Sequence, residues 1–170
     1  MYNKEIKIIL SGLVAIIGII LIYSGEIGYG ILVLLLMGAI ILSIFKDERI
    51  IRAFYFIRKN NMNKAAIILD KIKFPEKLIQ SQEAYFYYLN GLVLSQTQMN
   101  KAEKFFKRSL AIGLRTDMDQ AVAKLNLAGL AMSRRRKREA SALLTEVKKL
   151  DKHNMLEDQR KMMKDQMKKI

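Results

Sequence analysis

The sequence predicts an all-α protein, and three observations lead to this prediction. Apolar residues recur at helical spacing throughout residues 46–170, in stripes such as Ala102, Phe106 and Ser109. Two long apolar runs precede them, and each is long enough to form a single helix. Only one Pro and nine Gly occur in the 170 residues, which disfavours a turn-rich β fold.

Charge divides the chain into two segments. The charged side chains of residues 1–45 are few: Lys4, Glu5, Lys7 and Glu26. The net charge of +14 therefore belongs to residues 46–170, which separates an apolar segment from a basic, water-facing one. The chain has no cysteine, which excludes a disulfide framework and a thiolate metal site.

The first 45 residues are predicted to form a transmembrane helical hairpin, with spans at about 6–23 and 27–45. Each run approaches the ~20 residues that cross the hydrocarbon core of a bilayer. The glycine-rich segment 24–30 suits a reversal of the chain. A cleaved signal peptide and a hairpin buried in a soluble protein are the alternatives. The second run and the lack of a polar face disfavour them.

Basic residues flank the outer ends of the hairpin, and the connecting loop has none. Lys4 and Lys7 precede the first run, and Lys46, Arg49 and Arg52 follow the second. The positive-inside rule then predicts an inner (plasma) membrane protein with two spans and both termini in the cytoplasm. On this prediction the lipid bilayer is one partner of the chain.

One pattern occurs three times between the hairpin and the C-terminal segment. An alanine recurs early in a helix with a period of about 37 residues, a period in the range typical of repeat arrays. These alanines are Ala65, Ala102 and Ala140. A small residue precedes each of them in the helix before: Ala53, Gly91 and Ala128. A large apolar residue follows each of them on the same stripe: Leu69, Phe106 and Leu144.

These segments resemble tetratricopeptide repeats, most closely from Ala84 to Phe106. The resemblance implies that residues 46–151 form a short solenoid of three antiparallel helix pairs. The unit is longer than the ~34 residues usual in that family. The first helix of the first pair can also be interpreted as a continuation of the second apolar run. Residues 152–170 are predicted to add a C-terminal capping helix, because Met163 and Met167 share one helical face, and an amphipathic helix that contacts anionic lipid is the alternative interpretation.

The resemblance implies a groove lined by the first helices of the pairs. Such grooves bind peptides, so the implied function is a membrane-anchored scaffold or adaptor with a protein partner at or in the membrane. The predicted groove residues are Tyr85, Tyr88, Leu92, Leu125 and Met132.

A basic cluster lies in the predicted turn between the two helices of the third copy. It consists of Arg134, Arg135, Arg136, Lys137 and Arg138. Three interpretations are open: a solvated turn without a ligand, a contact with anionic lipid headgroups, and a contact with an acidic protein or nucleic acid. Nucleic acid is disfavoured, because aromatic side chains do not alternate with the basic ones. An electrostatic binder of anionic lipid or nucleic acid is the alternative function.

No catalytic site is predicted. His153 is the single histidine, so a two-histidine metal site cannot form, and no glycine-rich phosphate motif occurs. Acidic residues that stand near helix starts are interpreted as parts of caps, in the pairs Asn100 with Glu103 and Thr116 with Asp119. The sequence thus predicts no enzyme, no cofactor and no metal.

Overall fold

In a computed structural model the backbone is described for residues 4–45 and 47–169, and the side chains for residues 9–38 and 47–169. These residues form nine α-helices and one 3₁₀ turn without any strand, which confirms the all-α prediction. The chain divides into two compact units, residues 1–47 and 48–170. The helices are α1 (Lys4–Tyr23), α2 (Ile27–Phe45), α3 (Glu48–Arg58), α4 (Met62–Asp70), α5 (Gln80–Leu94), α6 (Met99–Ile112), α7 (Asp117–Ser133), α8 (Lys137–Leu150) and α9 (Glu157–Lys169), and the 3₁₀ turn is Pro75–Lys77.

Unit 1 is a hairpin in which α1 packs against α2. Gly25 ends α1 with a φ of 87°, a backbone conformation that favours glycine. The N–H of Glu26 then donates to the carbonyl of Leu21 at 3.0 Å. A Cβ on Gly30 would lie 3.1 Å from the carbonyl oxygen of Gly18, so the missing side chains allow the two helices to approach closely.

The predicted membrane crossing is contradicted. Over the residues with described side chains, which are 9–23 of α1, 27–38 of α2 and 47–169, no helix is both long and apolar enough to cross a membrane. This finding contradicts the predicted inner-membrane localisation with two spans and both termini in the cytoplasm. It likewise leaves the transmembrane assignment of residues 1–45 without support.

Unit 2 consists of three consecutive helix pairs and a last helix. The pairs are α3 with α4, α5 with α6, and α7 with α8, each joined by a short turn that makes its helices antiparallel. Each following pair packs on the one before it, through α5 on α3 and α4 and through α7 on α6. α3 begins at Glu48 after the non-helical Asp47, so it is a helix of its own and not a continuation of α2.

The repeated residues occupy equivalent positions in the three pairs. Each repeat alanine donates its backbone N–H to the carbonyl of the residue four positions earlier, at 3.2, 3.0 and 3.0 Å. These alanines and the large residues that follow them are fully or almost fully buried: Ala65, Ala102, Ala140, Leu69, Phe106 and Leu144. The internal repetition thus extends from the sequence to the core, whereas the relationship to tetratricopeptide repeats stays a prediction.

The middle pair shows why a small residue is needed in the first helix. A Cβ on Gly91 would lie 2.7 Å from Cε1 of Phe106, so the phenyl ring lies directly on the backbone of α5. Phe106 has no exposed surface. At the equivalent positions the other two pairs have alanine in place of Gly91 and leucine in place of Phe106. The larger residue in the first helix is thus matched by a smaller one in the second.

The last helix, α9, packs on α7 and α8. The carboxylate of Asp151 accepts hydrogen bonds from the N–H groups of Met155 at 2.9 Å and Leu156 at 2.7 Å, which fixes the turn that leads into α9. Met163 and Met167 then pack against buried residues of the last pair. α9 thus lies within the segment 152–170 that was predicted to form a capping helix.

Candidate functional site

The five residues that were predicted to line a groove do not lie on one open surface. Tyr88, Leu125 and Met132 are only 3%, 5% and 7% exposed, because they pack inside the helical core. Side chains buried in this way cannot line an open groove. Tyr85 and Leu92 retain partial exposure.

Tyr85 connects the second pair to the third. Its hydroxyl donates to the carboxylate of Asp119, which also accepts from the hydroxyl of Thr116 at 2.6 Å. Burial, followed by this hydrogen bond, raises the pKa of Tyr85 to about 12. The backbone N–H of Asp119 donates to Thr116 Oγ1 at 3.0 Å, which confirms the predicted cap of α7.

The basic cluster divides into two sets of side chains. Arg134 and Arg136 both donate to the carboxylate of Glu103 on α6, with Arg136 Nη2 at 3.1 Å. The side chains of the remaining cations make no hydrogen bond or ion pair with any residue that the structure describes: Arg135, Lys137 and Arg138. Two arginines of the predicted anion contact are therefore engaged within the protein, and three cations are available to a ligand.

The backbone of the α7–α8 turn explains how two arginines reach one carboxylate. Arg135 has a φ of 58° and donates its N–H to the carbonyl of Met132 at 2.9 Å. The N–H of Arg136 donates to the carbonyl of Ala131 at 2.9 Å, which completes a Schellman motif. The tight reversal leaves the residues on either side of Arg135 next to α6.

Glu103 pairs with three cations at once. Its side chain is only 10% exposed, and Lys107 Nζ lies 2.7 Å from Oε1 in addition to the two arginines. The hydrogen bond from Lys107, followed by that from Arg136, outweighs the effect of burial and lowers the pKa of Glu103 to about 2. The carboxylate therefore stays ionised in the folded protein at all ordinary pH values.

These ion pairs bridge the surface between the second helices of the second and third pairs, the α6–α8 groove. Arg136 pairs with Glu103 across it at 3.1 Å. Lys107 of α6 lies 4.0 Å from Glu139 of α8. Two sets of opposite charges thus cover the core between α6 and α8.

The equivalent surface between α4 and α6, the α4–α6 groove, is not bridged. At the repeat positions that hold Glu103 and Arg136 in the other groove, it has the uncharged Ala66 and Gln98. The positions of Lys107 and Glu139 are taken by Asp70 and Lys101, with the charges reversed. Among the described residues neither Asp70 nor Lys101 has an ion-pair partner.

The α4–α6 groove contains an open pocket of about 450 Å³. Its apolar lining is contributed by three helices: Ala66 and Ile67 of α4, Val93 and Leu94 of α5, and Phe105 of α6. Asp70 and Lys101 stand at its edges. A second pocket of about 570 Å³ shares Gln98 and Lys101 with it and extends along the polar α5–α6 turn as far as Arg134.

The described residues offer chemistry for non-covalent binding. In this part of the chain, no three or more histidine or acidic side chains lie close enough to hold a metal ion. The groove combines an apolar floor with a few polar groups at its edges, a combination typical of ligand sites.

Comparison of the chain with protein-family models, with curated proteins and with solved structures finds no match.

Proposed function

We propose that the chain is a protein-interaction adaptor that binds a partner peptide in the α4–α6 groove. The observation that carries the proposal is the difference between two equivalent surfaces. The α6–α8 groove is bridged by the ion pairs Arg136–Glu103 and Lys107–Glu139, whereas among the described residues no ion pair bridges the α4–α6 groove, which opens onto an apolar floor. Repeated helix pairs commonly bind peptides on extended surfaces of this kind.

The exposure of the groove residues supports this proposal. Ile67 is 60% exposed although it stands beside Val93 and Phe105, which are partly buried. A single exposed isoleucine is ordinary on a protein surface, but several apolar side chains that converge on one pocket indicate a binding site. Binding a partner there would remove this apolar surface from water.

The α4–α6 groove should determine which proteins the chain captures. The full-length tagged chain, Ile67→Glu and the control Ile51→Glu would be crosslinked in native lysate, and the captured proteins quantified by mass spectrometry. Ile51 is 61% exposed on α3, so the control adds the same charge at equal exposure outside the groove. We expect Ile67→Glu to reduce capture of the specific partner about tenfold or more, because a charge in the pocket must be desolvated. A set of proteins captured equally by all three chains would contradict the proposal.

A second candidate function, electrostatic binding of nucleic acid or anionic lipid, is supported by the free cations of the α7–α8 turn. Arg135, Lys137 and Arg138 are exposed and have no partner among the described residues. Because Glu103 neutralises part of the cluster, the turn offers fewer available charges than its sequence indicates. The expected affinity is therefore that of a weak, salt-sensitive contact.

Neutralising the free cations of the turn tests this second candidate. We expect the change of Arg135, Lys137 and Arg138 to glutamine to weaken binding of a fluorescent oligonucleotide, or of anionic vesicles, about 10- to 100-fold at low salt. The matched control removes three other exposed cations: Lys148, Lys149 and Lys164. Equal weakening by both triple variants would show that net charge alone attracts the ligand and would contradict a site at the turn.

A further inference from the structure

We infer that the partner of the α4–α6 groove is an acidic amphipathic peptide, which places an apolar side chain on the groove floor and a carboxylate at Lys101. The inference rests on the proposed function and specifies the chemistry of its ligand. Two features of the groove lead to it: the composition of the floor and the charges that remain unpaired at the edges.

The floor calls for an apolar anchor. It is formed by aliphatic side chains and the ring of Phe105, and its volume of about 450 Å³ lies within the range of small-ligand pockets. The second pocket continues from the floor past Gln98 along Thr97 and Gln96, whose side chains make no hydrogen bond with described residues. Amide and hydroxyl groups next to an apolar floor suit a peptide, because a peptide brings backbone N–H and C=O groups together with its side chains.

The charges at the edges favour an acidic ligand. Lys101 borders the pocket, and the exposed Lys104 lies one helical turn further along α6, outside the pocket lining. Neither has an ion-pair partner among the described residues. Asp70 is the single acidic residue that borders the pocket. Arg134 at the far end of the second pocket does not count as free, because it already donates to Glu103 and Asn100. The pocket lining therefore has one available cation and one anion. The unpaired Lys104 outside the lining and the net charge of +14 favour an acidic ligand over a basic one.

The repeat equivalence indicates that the charged residues at the edge are positioned to reach into the groove. Lys107 and Glu139, at the positions equivalent to Asp70 and Lys101, approach each other to 4.0 Å across the α6–α8 groove. In the α4–α6 groove the same positions hold charges that do not pair. A carboxylate of the ligand at Lys101 would supply the missing counter-charge. Asp70 on the opposite edge would disfavour a second acid there and so fix the direction of the peptide.

A nucleic acid fits the α4–α6 groove less well. The affinity of a polyphosphate grows with the number of phosphates that the protein neutralises, and two free lysines neutralise few. The ring of Phe105 lies against that of Tyr87, with centroids 5.9 Å apart, so part of its surface is already covered and not open to a base. The apolar floor would also remain unmatched by a phosphate backbone.

The inference is tested by selecting displayed random peptides on the full-length chain, with a parallel selection on Ile67→Glu. Peptides enriched only on the unaltered chain should combine an apolar residue with an excess of Asp and Glu. A synthetic peptide from this set should lose about tenfold in affinity with Lys101→Glu, and replacing its acidic residue by lysine should restore binding to that variant. Ile67→Ser, which shortens the side chain without adding charge, should also lose the peptide. Circular dichroism would verify that all three variants fold.

The outcomes separate this inference from the proposed function. Peptides that require Ile67 but show no acidic excess, or that tolerate Lys101→Glu, would overturn the acidic partner and leave the adaptor proposal intact. The absence of any Ile67-dependent peptide would overturn both. Acidic peptides that bind equally to Ile67→Glu would show general charge attraction and overturn the groove as their site. An oligonucleotide whose binding requires Ile67 would assign the groove to nucleic acid and would likewise overturn the inference.

Discussion

Replacing Phe106 with alanine is expected to destabilise unit 2 by about 3–5 kcal/mol, the range for a fully buried phenylalanine. Phe106 has no exposed surface, and its ring lies on the bare backbone at Gly91. It also meets the ring of Tyr88 edge to face, with centroids 6.3 Å apart. The backbones of α5 and α6 cannot collapse into the space that the ring would leave, so the loss of buried area is joined by the cost of a cavity.

Urea denaturation of the full-length chain, followed by far-ultraviolet circular dichroism, measures this effect. The matched control is Phe74→Ala, because Phe74 is 57% exposed and its truncation should change the free energy of unfolding by less than about 0.5 kcal/mol. Phe106→Leu introduces the residue found at the equivalent position of the other pairs and should cost less than half as much as Phe106→Ala. Similar losses from Phe106→Ala and Phe74→Ala would contradict the packing described for the middle pair.

The core of unit 2 could be predicted from the sequence, because a repeat constrains it three times. Ala102 and Phe106 lie on one helical stripe, and their counterparts in the other copies have the same spacing. Because the spacing occurs three times, the prediction of buried residues does not depend on a chance match in one copy. Burial is the physical cause of the pattern. A small residue allows two helices to cross closely, and a large one fills the space beside the crossing.

The predicted groove could not be obtained in the same way. α5 and α7 carry apolar residues on almost every face, so spacing does not show which side is open. Leu125 and Met132 were assigned to a groove, but Met163 and Met167 of α9 pack against the clusters that contain them. Since α9 is distant in sequence, its covering of α7 is a tertiary effect that no local pattern records.

The basic cluster shows a similar limit. A run of cations in the sequence does not indicate which acidic residues it pairs with, because the partner can be distant along the chain. Glu103 stands 31 residues before Arg134. The spacing of Asn100 and Glu103 indicates a helix cap, yet α6 has no side-chain cap and both residues instead bind Arg134. The carboxylate of Glu103 can either cap the start of α6 or pair with a residue that is distant in the sequence. The predicted cap does not form because α6 begins at Met99 with Gln98 at its N-cap, so that Asn100 lies inside the first turn.

The α4–α6 groove was not predicted from the sequence, because its distinguishing feature is the lack of the bridging carboxylate that Glu103 provides in the next copy. Its opening results from Ala66 at the position where the next copy has Glu103. The repeat alignment contains this difference, but its meaning depends on knowing that Glu103 bridges two pairs. A signal was therefore present in the sequence, and the tertiary contact was needed to interpret it.

Replacing Glu103 with glutamine is expected to destabilise unit 2 by about 2 kcal/mol at neutral pH. Glutamine keeps the shape of the side chain but leaves Lys107, Arg134 and Arg136 close together without a counter-charge. Removing one partner of a buried ion pair costs ~3–5 kcal/mol. The smaller figure of about 2 kcal/mol applies here because each cation keeps about a third or more of its side-chain surface in water, which screens the interaction. The matched control is Glu146→Gln, whose half-exposed carboxylate pairs with the single Lys124 and should contribute at most about 0.5 kcal/mol.

Acid should abolish the difference between the unaltered chain and Glu103→Gln. The folded-state pKa of Glu103 is about 2, below the ordinary value of 4.5, so folding favours the ionised form. A group with a lowered pKa stabilises the fold fully above its unfolded pKa, and the contribution falls as pH drops towards the folded pKa. Urea midpoints measured between neutral pH and about pH 2 should therefore converge for the two chains below about pH 4.5. A difference that stays constant across this range would mean that ionisation of Glu103 does not cause it, and the ion pairs across the α6–α8 groove would then not be what holds the second and third pairs together.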